Sequence, residues 1–142
     1  MKKQTLAIHT AYPSKDAYGA LSMPVYHAAA YEFDNAADMA DAFCGRVIAP
    51  DYSRVMNPTV MNLENRVKAL TGAQAVVALN SGMAAISNTL LALASAGKNI
   101  VSSRHMFGNT YSLITETLPR FGVESHACDL TDLSQVEKAV DE

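Results

Sequence analysis

From residue 59 onwards, helix and strand patterns alternate along the chain, and this alternation restricts the possible folds more than any other feature. The patterns predict helices at 59–70, 82–96, 109–121 and 133–140, the last with Thr131 as its N-cap, and strands at 75–80, 99–102 and 123–127. Strands that alternate with helices form βαβ units and a mainly parallel sheet, so the predicted fold class is α/β. Such sheets bind ligands at the carboxyl ends of their strands, where the turn at Ser81 and Gly82 lies.

The first 58 residues lack regular periodicity. Proline and glycine interrupt them repeatedly, and only residues 36–44 have a short helical pattern. A segment of this kind suits an arm that packs on a partner subunit. The sequence therefore predicts an arm at 1–58, followed at 59–142 by an incomplete α/β domain.

A predicted strand-turn-helix junction occupies residues 78–87, whose sequence is ALNSGMAAIS. A helix start leaves backbone N–H groups without intrahelical acceptors and carries the positive end of the helix dipole, so it favours a bound anion. Gly82 has no side chain and would let an anion approach the backbone. Taken on their own, the same residues are more simply read as an ordinary turn and a helix capped by Ser81. The G-x-G-x-x-G and G-x-x-x-x-G-K-S/T patterns of nucleotide sites are absent from the sequence.

Residues 51–59, DYSRVMNPT, combine a phenol, a guanidinium and an Asn-Pro pair. Pro58 disfavours helical geometry at Asn57, and the segment is predicted to be extended, which would put Tyr52 and Arg54 on the same side. Guanidinium donors beside a phenol hydroxyl suit a phosphate or a carboxylate. The alternative is a surface arginine packed along a tyrosine ring.

Both segments resemble motifs of the Cys/Met-metabolism family of pyridoxal-phosphate (PLP) enzymes, which have fold type I. The family's arm motif Y-S/T-R-x-x-N-P-T is matched at residues 52–59, and its S-G-M-A-A-I motif at 81–86. The resemblance implies that Ser81, Gly82 and Met83 bind the phosphate of PLP. It also implies that Tyr52 and Arg54 reach that phosphate from the neighbouring subunit of a homodimer or homotetramer. Tyr52 would in addition act in catalysis, by transferring a proton near the leaving group.

A third match lies at residues 107–113, FGNTYSL, where relatives have an aromatic residue followed by G-x-T. The resemblance implies that Phe107 stacks on the pyridine ring of PLP. Many relatives have tyrosine at this position, and phenylalanine keeps the ring face but lacks the hydroxyl. Tyr111, one helical turn on, could supply a hydroxyl or pack within the helix.

The lysine that binds PLP covalently in this family is missing from the chain. The lysines present are Lys2, Lys3, Lys15, Lys68, Lys98 and Lys138, and none lies in the family's S-x-T-K context. The aspartate that pairs with the pyridine nitrogen and the arginine that binds the substrate carboxylate are missing too. We therefore expect an N-terminal portion of a longer enzyme, inactive by itself.

Composition excludes several other classes. A formal charge of −3 and a pI near 5.7 give no reason to expect binding to nucleic acid or to anionic membranes. Cys44 and Cys128 form no C-x-x-C pattern, and none of the four histidines has metal-ligand spacing. The N-terminus lacks the apolar region of a signal peptide, so a cytoplasmic protein is expected.

The expected activity follows from the resemblance and from Phe107. The FGNT form is most similar to the O-acetylhomoserine sulfhydrylase branch, whose substrates are O-acetylhomoserine and sulfide or a thiol. Methionine γ-lyase and cystathionine γ-synthase or γ-lyase remain alternatives. So do two non-catalytic functions, an anion-binding module and a subunit-interaction module.

Overall fold

The computed structural model describes residues 2–10 and 18–140, which form two compact units, Met1–Ala78 and Leu79–Glu142. The helices are α1 (Lys3–His9), α2 (Ala36–Phe43), α3 (Pro58–Thr71), α4 (Gly82–Leu93), α5 (Gly108–Ser112) and α6 (Leu133–Ala139). The strands are β1 (Asn99–Ser103) and β2 (Glu124–Cys128). A π-helical turn, Leu113–Thr117, and a 3₁₀ turn, Leu118–Phe121, continue α5.

In the first unit, α2 and α3 begin where local capping chemistry predicts. The Asn35 side chain accepts from the second and third backbone N–H groups of α2, those of Ala37 and Asp38. Asn57 is extended, with φ −124° and ψ 129°, and its side chain accepts the Thr59 N–H at 2.9 Å. Pro58 occupies the first position of α3, where a missing N–H costs no helical hydrogen bond. The predicted helices at 36–44 and 59–70 are confirmed within two residues.

Helix α1 was not predicted, because the contact that holds it comes from a distant part of the chain. The Arg66 guanidinium on α3 donates to the carbonyl oxygen of Ala7 at 2.7 Å, across 59 positions of sequence. A cation at the last turn of a helix satisfies its free carbonyls and interacts favourably with the negative end of its dipole. The described part of the first 58 residues therefore contains α1 in addition to the helix that periodicity predicts.

The predicted strand at 75–80 is wrong. Residues 75–79 have no regular secondary structure, and the Ala78 N–H donates to the Glu64 carboxylate at 2.8 Å rather than to a neighbouring strand. An apolar run becomes a strand only when another strand pairs with it. Among the described residues, none does so here.

The second unit contains the parallel pair of strands that the alternation predicts. β1 and β2 pair in register from Asn99 with Glu124 to Ser103 with Cys128. The helical segment 108–121 connects them, and its buried residues Ile114 and Leu118 form the core with Val123. Pro119 explains why this segment is not one regular α-helix, because proline has no N–H and its ring collides with the carbonyl of residue i−4.

Acidic side chains organise the loop between β2 and α6. Asp132, not Thr131 as predicted, caps α6 by accepting the Ser134 N–H at 3.0 Å. Thr131 instead donates its hydroxyl to Asp129 at 2.7 Å. Hydrogen bonds from Thr131 and the nearby charge of Arg104 lower the pKa of the Asp129 carboxyl. Hydrogen bonds from Ser134 and Gln135 lower the pKa of the Asp132 carboxyl.

Gly122 closes the crossover between the two strands, and replacing it with alanine should destabilise the second unit. Its φ is +78°, and an added Cβ would lie 3.2 Å from the Ala96 Cβ. A non-glycine residue in this region costs about 1–3 kcal/mol, to which the crowding adds. Thermal unfolding of Gly122→Ala should show this loss. Gly72→Ala is the matched control, because its φ is +72° but its Cβ would meet nothing within 4 Å. Equal losses for the two variants would exclude a contribution from crowding.

Candidate cofactor-binding site

The start of α4 presents two backbone donors. Ser81 is extended, and its side-chain hydroxyl accepts the Ala84 N–H at 3.1 Å while its carbonyl accepts the Ala85 N–H at 3.0 Å. Within the part of the chain that the structure describes, nothing accepts from the N–H groups of Gly82 and Met83. These two donors point out of a twelve-residue helix at the positive end of its dipole.

The surroundings of Gly82 suit a phosphate group. Gly82 is exposed, and a Cβ built on it would meet no atom within 4 Å. A phosphate can therefore approach both free N–H groups without displacing a side chain. The observed cap is also the one expected of an ordinary helix, because the Ser81 hydroxyl accepts the Ala84 N–H.

Phe107 belongs to the same unit as this helix start. It immediately precedes α5, and the residue is 83% exposed, which leaves the ring free for stacking. Thr110, one turn further, donates its hydroxyl to the Met83 sulfur at 3.6 Å. This contact ties α5 to the first turn of α4, so Phe107 and the free donors lie on connected elements. The G-x-T pattern contains Thr110, but this residue could not be assigned a role from sequence because its partner, Met83, lies 27 positions away.

Tyr111, the other candidate hydroxyl of this region, is partly exposed on α5. Its N–H donates to the Phe107 carbonyl at 3.0 Å, as a first-turn helical bond should. No hydrogen bond of its hydroxyl is present among the described residues. The Tyr111 hydroxyl is therefore available to donate to a bound group.

Tyr52 and Arg54 belong to the first unit, and their local geometry differs from the extended strand predicted. The Tyr52 carbonyl accepts from the N–H groups of Val55 and Met56 at 2.8 and 2.9 Å, so residues 53–55 form a turn. Alternation along a strand consequently cannot bring the two side chains together. The turn does so instead, with the Arg54 guanidinium 4.9 Å from the centroid of the Tyr52 ring.

This stacked pair keeps its polar groups available. Both residues are exposed, and no hydrogen bond or ion pair of the Arg54 guanidinium or the Tyr52 hydroxyl is found among the described residues. A guanidinium held over a ring keeps its N–H fork at the edge, where a phosphate can accept two bonds. The alternative interpretation, in which Arg54 simply packs along the Tyr52 ring, is therefore compatible with anion binding.

Neither a metal site nor a membrane span is found in the described ranges. Residues 2–10 and 18–140 contain no cluster of three metal-ligating side chains. None of the helices in these ranges combines the length and the apolar character needed to cross a bilayer. Cys44 is an exposed free thiol and Cys128 a buried one.

Comparison with known proteins identifies the family. A family model described as Cys/Met metabolism PLP-dependent enzyme matches residues 4–142. The chain belongs to this PLP-dependent family. Its fold is that of the fold-type-I enzymes, as predicted, because a crystal structure described as an O-acetylhomoserine (thiol)-lyase from Campylobacter jejuni superposes with a TM-score of 0.92. That match has 36% identity and covers 99% of this chain and 33% of the other.

Two further relatives of the Cys/Met family differ in the activity named for them. An L-methionine gamma-lyase of Fusobacterium nucleatum is 38% identical over 143 residues, covering 99% of this chain and 36% of the lyase. The structure of an O-acetylhomoserine sulfhydrylase of Wolinella succinogenes is 53% identical, covering 61% of this chain and 24% of the other with a TM-score of 0.59. The chain thus spans about a third of the length of the curated lyase.

The crystal structure from Campylobacter jejuni contains N'-pyridoxyl-lysine-5'-monophosphate, the PLP group joined to a lysine. PLP is the cofactor of the family to which this chain belongs. The start of α4 fits the phosphate of PLP, because among the described residues it offers two unpaired N–H donors and no obstructing side chain.

Proposed function

We propose that this chain is the N-terminal part of an O-acetyl-L-homoserine sulfhydrylase, which replaces the acetate of O-acetylhomoserine by sulfide or a thiol. The products are acetate and homocysteine, or methionine when the thiol is methanethiol. The observation that carries the cofactor part of the proposal is the pair of free N–H groups at Gly82 and Met83 in a chain of this family.

Each candidate residue has a distinct role in the proposal. The N–H groups of Gly82 and Met83, with the Ser81 cap that fixes the first turn, bind the cofactor phosphate. Phe107 stacks on the pyridine ring and keeps its orientation. When bound, PLP supplies an electron sink for the negative charge that develops on the substrate carbons.

Tyr52 and Arg54 complete the phosphate site from a neighbouring subunit. Arg54 neutralises phosphate charge, and the hydroxyl of Tyr52 moves a proton at the leaving group. The proposal therefore requires a homodimer or homotetramer in which residues 1–58 act as the subunit-contacting arm and 59–142 belong to the PLP-binding domain. It places the enzyme in the cytoplasm, where thiols such as Cys44 and Cys128 stay reduced.

Phe107 favours the sulfhydrylase activity over the γ-lyase activity, because it stands where a lyase typically has tyrosine. The 53% identity to the Wolinella sulfhydrylase covers only 61% of the chain, so it does not outweigh the 38% identity to the Fusobacterium lyase over 99% of it. The lyase match extends over more of the chain, which makes methionine γ-lyase the second candidate.

The test is to express the protein from its native locus, record its mass and visible spectrum, and assay it with both substrates. We expect a yellow PLP protein that makes homocysteine and acetate from O-acetylhomoserine and sulfide. Faster release of ammonia, a 2-oxo acid and methanethiol from methionine would establish the lyase instead. A colourless protein would exclude both. The 142-residue chain alone should show no turnover, because none of its lysines has the S-x-T-K context.

A further inference from the structure

Asn57 uses both ends of its side-chain amide. Its Oδ1 accepts the Thr59 N–H at 2.9 Å and so caps α3. Its Nδ2 donates towards the Ser53 hydroxyl at 2.9 Å, the Tyr26 carbonyl at 3.0 Å and the Tyr31 hydroxyl at 3.2 Å. The opposite orientation of the amide would place an oxygen against the Tyr26 carbonyl and a nitrogen against the Thr59 N–H. The partners therefore fix which end is the donor.

Ser53, the residue that Asn57 contacts on the turn, is attached to a second segment. Its N–H donates to the Ala29 carbonyl at 2.9 Å, and its hydroxyl donates to the Ala28 carbonyl. The Tyr31 N–H donates to the Asp51 carbonyl at 3.1 Å, which makes a short antiparallel bridge between residues 30 and 52. Asn57 thus joins the segment 26–31 to the segment 51–59.

The turn held in this way carries the stacked pair. Ser53 lies between Tyr52 and Arg54, and the Tyr52 carbonyl closes the turn around Arg54. Ser53 and Asn57 are half-buried, whereas Tyr52 and Arg54 are exposed. The hydrogen bonds therefore lie beneath the turn, and the groups suited to binding an anion lie on its outer side.

We propose that Asn57 is a positioning residue for the cofactor phosphate, acting through Ser53 on the turn that presents Tyr52 and Arg54 together. This inference rests on the proposed function, in which that pair binds the phosphate. Asn57 itself contacts no cofactor. Its donor end prevents the turn from sampling other conformations, so that Arg54 loses less conformational freedom when the phosphate binds.

The variant Asn57→Asp separates the contribution of the donor end of the side chain from that of the acceptor end. Aspartate is a good N-cap and keeps the acceptor for the Thr59 N–H, so α3 should retain its start. It has no proton for the Tyr26 carbonyl, which its charge repels, and the Ser53 hydroxyl could reach it only by turning its proton away from the Ala28 carbonyl. Ser53→Ala removes the link from its other end, together with the bond from the Ser53 hydroxyl to the Ala28 carbonyl, without touching the cap.

The experiment is a double-mutant cycle on the protein expressed from its native locus, with Asn57→Asp, Arg54→Ala and the combined variant. PLP dissociation constants come from spectrophotometric titration, and far-ultraviolet circular dichroism with thermal unfolding reports the fold. Asn57→Asp and Ser53→Ala should each raise the dissociation constant about tenfold, the equivalent of about one hydrogen bond. In the Arg54→Ala background, Asn57→Asp should change it less than about threefold, because coupled residues are not additive.

Three outcomes would contradict the proposal, and they can be distinguished from one another. Wild-type affinity in Asn57→Asp or Ser53→Ala, with Arg54→Ala weakened, would overturn the positioning role alone. The full tenfold effect of Asn57→Asp persisting without Arg54 would show a general loss of structure rather than positioning. A wild-type protein that binds no PLP would overturn the proposed function and the positioning role with it.

Discussion

Replacing Arg54 with alanine should raise the PLP dissociation constant of the full enzyme by about 10- to 150-fold. A hydrogen bond to a charged group contributes about 1.5–3 kcal/mol, and each 1.4 kcal/mol is about a factor of ten in affinity. The guanidinium stacks on the Tyr52 ring without an ion pair among the described residues, so the substitution breaks no internal salt bridge. The loss should therefore appear in cofactor titration, with little change in the thermal transition.

Two variants make the Arg54 measurement specific. Arg46→Ala removes another exposed arginine of the first unit, one paired with Asp41 at 2.7 Å, and should leave PLP affinity unchanged. Arg54→Lys keeps the charge but loses the planar fork, so it should bind PLP with intermediate affinity. Unaltered affinity in Arg54→Ala would remove Arg54 from the phosphate site.

Local chemistry explains which elements the sequence could predict. Helices α3 and α4 begin immediately after Asn57 and Ser81, whose side chains cap them, and the first helical residue is a proline in one and a glycine in the other. The predicted strands β1 and β2 form because each pairs with the other along its whole length. The segment 75–80 has the same apolar character but no such partner, so hydrophobic pattern alone gave the wrong result there.

Contacts between distant residues account for the features that could not be predicted from sequence. Helix α1 depends on Arg66, and the turn at 53–55 is fixed by Ser53 and Asn57 bonding to residues 26–31. Periodicity along one segment carries no information about such partners. The candidate site follows the same division, because the free N–H groups of α4 are a local property whereas the Thr110–Met83 contact spans 27 positions.

Gly82→Pro should weaken PLP binding by about 10- to 150-fold while leaving the helix intact, because it removes one charge-assisted donor worth about 1.5–3 kcal/mol. Proline is favoured at the first position of a helix, where its missing N–H costs no internal bond. The residue before a proline must be extended, and Ser81 already is, with φ −158° and ψ 159°. Cofactor titration and thermal unfolding together should show lost affinity without lost stability.

Gly82→Ala is the matched control for this substitution. Alanine keeps the N–H, and its Cβ would meet no protein atom within 4 Å, so any loss of affinity reports the space that the phosphate needs. We expect a smaller loss than with proline, because the donor remains. Equal losses in the two variants would assign the effect to side-chain bulk rather than to the N–H. Wild-type affinity in Gly82→Pro would show that the phosphate does not accept from this backbone group, and the start of α4 would then be an ordinary capped helix.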